Sequence, residues 1–123
     1  MALPIEQISV NLAQEYQIPA TTSATTGLAL AFIPNSGGIA TLPQTALVSA
    51  VGADITFKFG NSTSVTASTT VDGTLKTLPA GNFTVASGKT YSIRLNPRNQ
   101  NFVSVKTATG SGTAVINLTT PIV

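Results

Sequence analysis

Apolar residues in this chain recur at every second position, in short runs that end at glycine, asparagine or proline. That period belongs to β-strands, whose successive side chains point to opposite faces. Asp54 to Phe59 is the cleanest case. Ile55, Phe57 and Phe59 fall on one side, and Asp54, Thr56 and Lys58 on the other. This is the pattern of a strand with one buried and one wet face.

The same alternation appears at Leu28, Leu30 and Phe32, along Thr45–Val51, at Phe83–Val85, at Tyr91, Ile93 and Leu95, and again over Phe102–Lys106 and Thr113–Leu118. No stretch after residue 27 carries a 3.6-residue period. The expectation is therefore all-β: one small β-sandwich or jelly-roll-like barrel of seven or eight short antiparallel strands.

The connections give finer expectations. Gly52-Ala53 between two alternating runs predicts a hairpin, and Gly110-Ser111-Gly112 predicts a second. Ser64–Ala67 reads as a weak strand, and Asp72-Gly73 as a type I′ turn. Leu78-Pro79-Ala80-Gly81 reads as a type I turn with Pro79 at its first central position. Tyr91, Ile93 and Leu95 are expected to face the core.

The first 26 residues differ from the rest. Ile5, Ile8, Leu12 and Tyr16 would share one face of a helix, whereas Ile8, Val10 and Leu12 would alternate along a strand. A third reading is an extended arm that orders on a neighbour, tethered by the Thr/Ser-rich run over 20–26. The corresponding division is an arm and tether over 1–26 and a β domain over 27–123.

Composition narrows the function. There is no His, Cys or Trp, and the only acids are Glu6, Glu15, Asp54 and Asp72. A serine nucleophile has no histidine base, a glycosidase needs two flanking carboxyl groups, and a thiolate zinc site needs cysteine. Asp72 in a glycine turn and Asp54 at a strand start suit backbone roles. No catalytic residue, metal or cofactor is expected, and the chain does not read as an enzyme.

The six cations are scattered singly, so no basic stripe for nucleic acid is present. No apolar run approaches the roughly 18 residues of a membrane span, and Met1–Gln7 lacks the features of a secretory signal. Charged residues are only 8% of the chain, against about 25% in ordinary soluble proteins. So little charge protects a surface poorly against association, which points to coverage by partners or by copies of itself. The polar loop Asn96–Asn101, with Arg98 and Asn99, and the neighbouring Phe102 are candidate contacts with a protein partner.

The stretch Thr45–Leu118, about 60% of the chain, resembles small virion proteins of tailed bacteriophages, of the head decoration (cement) type. Four features carry the resemblance. They are the run Thr45–Gly52 followed by Asp54–Gly60, the segment Ser64–Ala67, Leu78-Pro79-Ala80-Gly81, and the closing hairpin that begins at Gly110. The residues before 27 and the loop over 96–101 lie outside that pattern. The resemblance implies a β-sandwich on the capsid surface of a virion. It implies self-association, often as a trimer, and the major capsid protein as partner. Under it, Ile5, Ile8, Leu12 and Tyr16 are anchors on the shell or on a sister subunit, joined by Arg98, Asn99 and Phe102. The alternative is a phage tail or fibre module that binds a host surface glycan or protein.

Overall fold

The computed structural model describes residues 10–32, 43–71 and 73–119. Its eight strands are β1 (Val10–Ala20), β2 (Leu28–Ala29), β3 (Gln44–Val51), β4 (Ile55–Gly60), β5 (Asn82–Val85), β6 (Thr90–Leu95), β7 (Phe102–Thr107) and β8 (Gly112–Thr119). They form two antiparallel four-stranded sheets, with order β1-β8-β3-β6 in sheet 1 and β2-β7-β4-β5 in sheet 2. The all-β expectation holds, and the described residues contain no helix.

The pairs β1–β8, β2–β7, β3–β6 and β4–β5 nest inside one another like the arms of a single long hairpin. Rolling that hairpin up sends alternate pairs to opposite sheets, which is jelly-roll connectivity. Only β4 and β5 are neighbours both in sequence and in a sheet.

This topology corrects both hairpin expectations. β3 lies in sheet 1 and β4 in sheet 2, and β7 and β8 are likewise divided. Facing sheets are about 10 Å apart, a gap that three extended residues span. A short glycine-containing link therefore serves an arch between sheets as well as a turn within one. Gly52 (φ +87°) and Gly110 (φ +73°) take the left-handed backbone that these arches use. The two arches are packed together. A Cβ on Gly112 would lie 2.5 Å from the Val51 carbonyl oxygen and 3.0 Å from the Ala53 nitrogen.

The core fills the space between the sheets. Sheet 1 contributes small residues, Ala20, Ala46, Ala50 and Ala114, along with Ile18, Val48, Leu95, Ile116 and Leu118. Sheet 2 contributes Ile55, Phe57, Val85, Val103 and Val105. Phe57 stacks on Phe83 with ring centroids 5.6 Å apart and on Phe59 at 6.4 Å. Large side chains from one sheet set against small ones from the other let the layers interdigitate.

Of the three conformations left open for the N-terminal stretch, Val10–Ala20 takes the strand. It pairs with β8 and buries Ile18 and Ala20. The division at residue 26 is thereby redrawn: β1 is an edge strand of the sandwich. From Thr21 the chain crosses to sheet 2 and runs beside β7, where the Thr107 amide donates to the Thr21 carbonyl (2.8 Å) and the Thr25 amide to the Val105 carbonyl (3.0 Å). Ile5 and Ile8, the break at Pro34–Gly38, and Asp72 of the expected type I′ turn lie outside the described residues.

Three local expectations change. Ser64–Ala67 forms no strand: the Ser64 amide donates to Ser62 Oγ, the Val65 amide to the Ser62 carbonyl and the Ala67 amide to Ser104 Oγ, rather than to a ladder. In the Pro79 turn the Asn82 amide donates to the Pro79 carbonyl (3.1 Å). Pro79 is thus the first residue of the turn, and Gly81 (φ +85°) sits where type II demands positive φ. Tyr91 pairs with buried Val48, yet it is 44% exposed. It lies on the edge strand of sheet 1, and the edge strand of sheet 2, β5, has only four residues.

Gly112→Ala therefore presses a methyl onto backbone that belongs to the other arch. Equilibrium urea unfolding should show a loss of about 2–3 kcal/mol. Gly73→Ala, with nothing within 4 Å of its Cβ position, should stay within about 0.5 kcal/mol of the parent.

Candidate functional site

The two outward faces of the sandwich differ. On sheet 2, register places Thr56 beside Lys106, and Lys58 beside Ser104. This face is covered by the chain itself. The loop after β4 crosses it, Ala67 is buried, and the Ala67 amide donates to Ser104 Oγ (3.0 Å). The Ser104 hydroxyl in turn donates to the Thr25 carbonyl (2.7 Å), and the Val105 amide donates to Thr25 Oγ1 (3.0 Å). The Ser68 amide donates to Asn82 Oδ1 (2.8 Å). Ser104 and Thr56 end up fully buried on a face that alternation alone marks as wet.

The sheet 1 face has no such cover from these segments. Its outward residues fall in rows across the register: Pro19, Thr113 and Val51; Gln17, Val115, Ser49 and Thr90; Glu15, Asn117, Leu47 and Ser92; then Thr45 and Arg94. The charges are Glu15 on β1 and Arg94 on β6, the two edge strands. Between them lie hydroxyls, one amide and the apolar Val115, Leu47 and Val51, the last 55% exposed. Ser49 and Thr90 join their hydroxyls across β3 and β6 (2.8 Å). Asn117 Oδ1 is shut off from solvent and has no hydrogen-bond partner.

Of the residues singled out from sequence, the described ones fall on separate elements: Tyr16 on β1, Arg98 and Asn99 on the loop after β6, and Phe102 on β7. Ile5 and Ile8 lie outside the described residues, and Leu12 falls on β1. Tyr16 is half-buried against the core, and its hydroxyl oxygen accepts the Ala31 amide (2.6 Å). Arg98 and Asn99 are exposed on the loop between β6 and β7. That loop closes on itself. The Arg98 amide donates to Asn96 Oδ1 (2.9 Å), the Asn96 amide to Gln100 Oε1 (2.8 Å), and the Gln100 amide to the Asn96 carbonyl (2.8 Å). Its amide side chains thus hold the backbone, leaving Arg98 and Asn99 facing outward. Phe102 is half-buried at the start of β7, between Ala29 and Gly60 in register.

Sequence reasoning missed the uncharged middle of the sheet 1 face. The signal for it was the residue between successive core positions on each strand, but alternation does not say which wet face is later covered. Exposed apolar side chains also occur at Val71 and, at 72%, Leu75 in the loop after β4.

Among the described residues no three acids, histidines or cysteines gather in a way that holds a metal ion. An open depression of about 250 Å³ at the arches is lined by Gly52, Ala53, Asp54, Ala108 and Thr109. Its one acid, Asp54, accepts the Ser87 amide (2.8 Å), which is a backbone role.

No family model and no curated protein matches the sequence. Among solved structures the chain is similar to one described under "Bacillus endospore appendages form a novel family of disulfide-linked pili". The identity is 13% and the TM-score 0.43, over 100% of this chain and 97% of that one. A likeness of that size carries no argument about function.

The Ser104 hydroxyl links three segments, so Ser104→Ala strands the Ala67 amide and the Thr25 carbonyl. The expected cost is about 2–3 kcal/mol. Hydrogen exchange at Ala67 and its neighbours should accelerate well before β3 and β8 open. Unchanged protection there would show that the loop is held by other contacts.

Proposed function

We propose that this chain is a structural virion protein that binds the outside of a phage capsid and stabilises contacts between capsomers. The reading starts from the resemblance carried by Thr45–Leu118. The single observation that supports it best is the outward face of sheet 1, a wide surface on which the described residues carry charge only at Glu15 and Arg94, on the two edge strands. The middle of a protein interface is typically depleted of charge in this way.

The mechanism is mechanical. A subunit seated across a junction adds buried area on both sides of it, and a specific contact buries about 1,600 Å² in total. Each contact alone is modest. Repetition over a lattice raises effective concentration and turns weak contacts into firm retention. Binding to the assembled shell and not to its separated parts then stabilises the shell by mass action.

One observation favours the second reading, a tail or fibre module for a host glycan. Tyr91 is 44% exposed on the edge strand of sheet 1, so an aromatic ring is available there to a sugar. Copy number separates the two readings. Decoration needs on the order of hundreds of copies per particle, and a tail module needs a few.

The strand assignment changes which truncation is informative. Removing 1–20 deletes β1 and uncovers the core beside Ile116, so it is not expected to leave a folded β domain. Removing 1–9 keeps all eight strands. The shortened chain should keep the β-type circular dichroism spectrum of the parent and lose most of its occupancy on purified heads of the phage that encodes it. Quantitative mass spectrometry against the major capsid protein reads that occupancy. Full-length chain present in only a few copies per particle would refute decoration.

A further inference from the structure

We propose that the outward face of sheet 1, which none of the described segments that cover sheet 2 crosses, is the interface of a two-fold dimer, its partner a second copy of this chain. The first ground is the contrast between the two outward faces. The chain spends its own loop and the Ser104–Thr25–Ala67 bonds on covering sheet 2. On sheet 1 it leaves Val51, Leu47 and Val115 among hydroxyls with nothing over them from those segments.

The second ground is charge placement. Glu15 sits on β1 and Arg94 on β6, at opposite margins of the sheet. A two-fold axis in the plane of the interface and parallel to the strands lays β1 of one copy over β6 of the other. Glu15 then faces the partner's Arg94 one row further along the strand, about 7 Å away. The pair forms twice, because a two-fold contact is self-complementary. The alternative axis, across the strands, sets Glu15 over the partner's β1 and leaves both charges unmatched.

The third ground is the Asn117 amide in the middle row, whose Oδ1 lacks a donor. An orphaned acceptor costs about 1–3 kcal/mol. The partner layer is rich in hydroxyl donors, and a turn of the Asn117 side chain toward it recovers the missing bond.

Size sets the strength. Four strands about 4.8 Å apart and seven residues long give a plane of roughly 400–500 Å². Side-chain relief brings that toward the roughly 600 Å² per partner at the low end of specific interfaces. The dimer is thus weak in free solution and reinforced wherever copies are held close together. The dimer draws on the same face as the function proposed above but does not require a capsid, so association in free solution tests it separately.

The test is sedimentation equilibrium of the full chain from micromolar to millimolar concentration. The average mass should rise from one chain toward two and stop there. Ser49→Lys places a charge in the centre of the face and should abolish the rise. Thr90→Lys, which is exposed on the edge strand, should do the same if the first variant folds poorly. Glu15→Arg and Arg94→Glu should each weaken association about tenfold, and the double variant should recover it.

A chain that stays monomeric throughout, a mass that settles at three chains, or a charge swap that fails to rescue overturns the dimer. A monomer that still saturates phage heads overturns the dimer and leaves decoration standing. A dimer that ignores the heads does the reverse.

Discussion

The fold depends on filling the gap between two sheets from unequal sides. Phe57, Phe59 and Phe83 come from sheet 2, and the four core alanines come from sheet 1. Interiors are packed as densely as organic crystals, so each bulky ring needs a shallow position opposite. The division also fixes the register. A one-residue slip of β4 would send Phe57 outward and bring Thr56 and Lys58 into the core. Because β4 sits in the middle of sheet 2, paired on both sides, that slip would break both of its ladders.

A chain with so few charges must satisfy its polar groups by other means, and here it uses hydroxyls. Ser104 ties a loop and the segment after β1 to β7. Thr56 and Thr84 join across β4 and β5 (2.7 Å), and Thr107 closes the last arch onto the Gly110 carbonyl (2.7 Å). A hydroxyl both donates and accepts, so one serine serves two backbone groups that face it from different directions. This explains why the Ser/Thr-rich stretches, which read as flexible tethers by composition, run as ordered cover over sheet 2. It also explains why the two faces diverge. Hydroxyl bonding fastens described segments over the outward side of sheet 2, and none of those segments crosses sheet 1.

The elements were legible because they rest on local periodicity. The Ile55-Phe57-Phe59 alternation places β4, and Thr113–Leu118 places β8, without reference to any distant residue. What periodicity cannot convey is which strand pairs with which. Gly52 and Gly110 permit a tight turn or an arch equally well, and the choice is made by Gly112 meeting Val51 and Ala53 from the other arch. Tyr91 was misread for a related reason. Alternation gives the side on which a residue lies, and only the length of the opposing strand decides whether that side is covered. Ser104 carried no local signal at all, since its partners Thr25 and Ala67 lie 79 and 37 residues away.

The same physics bears on what such a domain can do. A surface with few ionisable groups gains little from long-range steering, which depends on summed charge. Its encounters with a partner are therefore slow and its contacts short-ranged, dominated by shape and by hydroxyl pairing. Those properties are compatible with the role proposed above, in which many copies are held near their site and effective concentration replaces rapid association. The scarcity of charge is thus the feature on which the proposed repeating assembly rests.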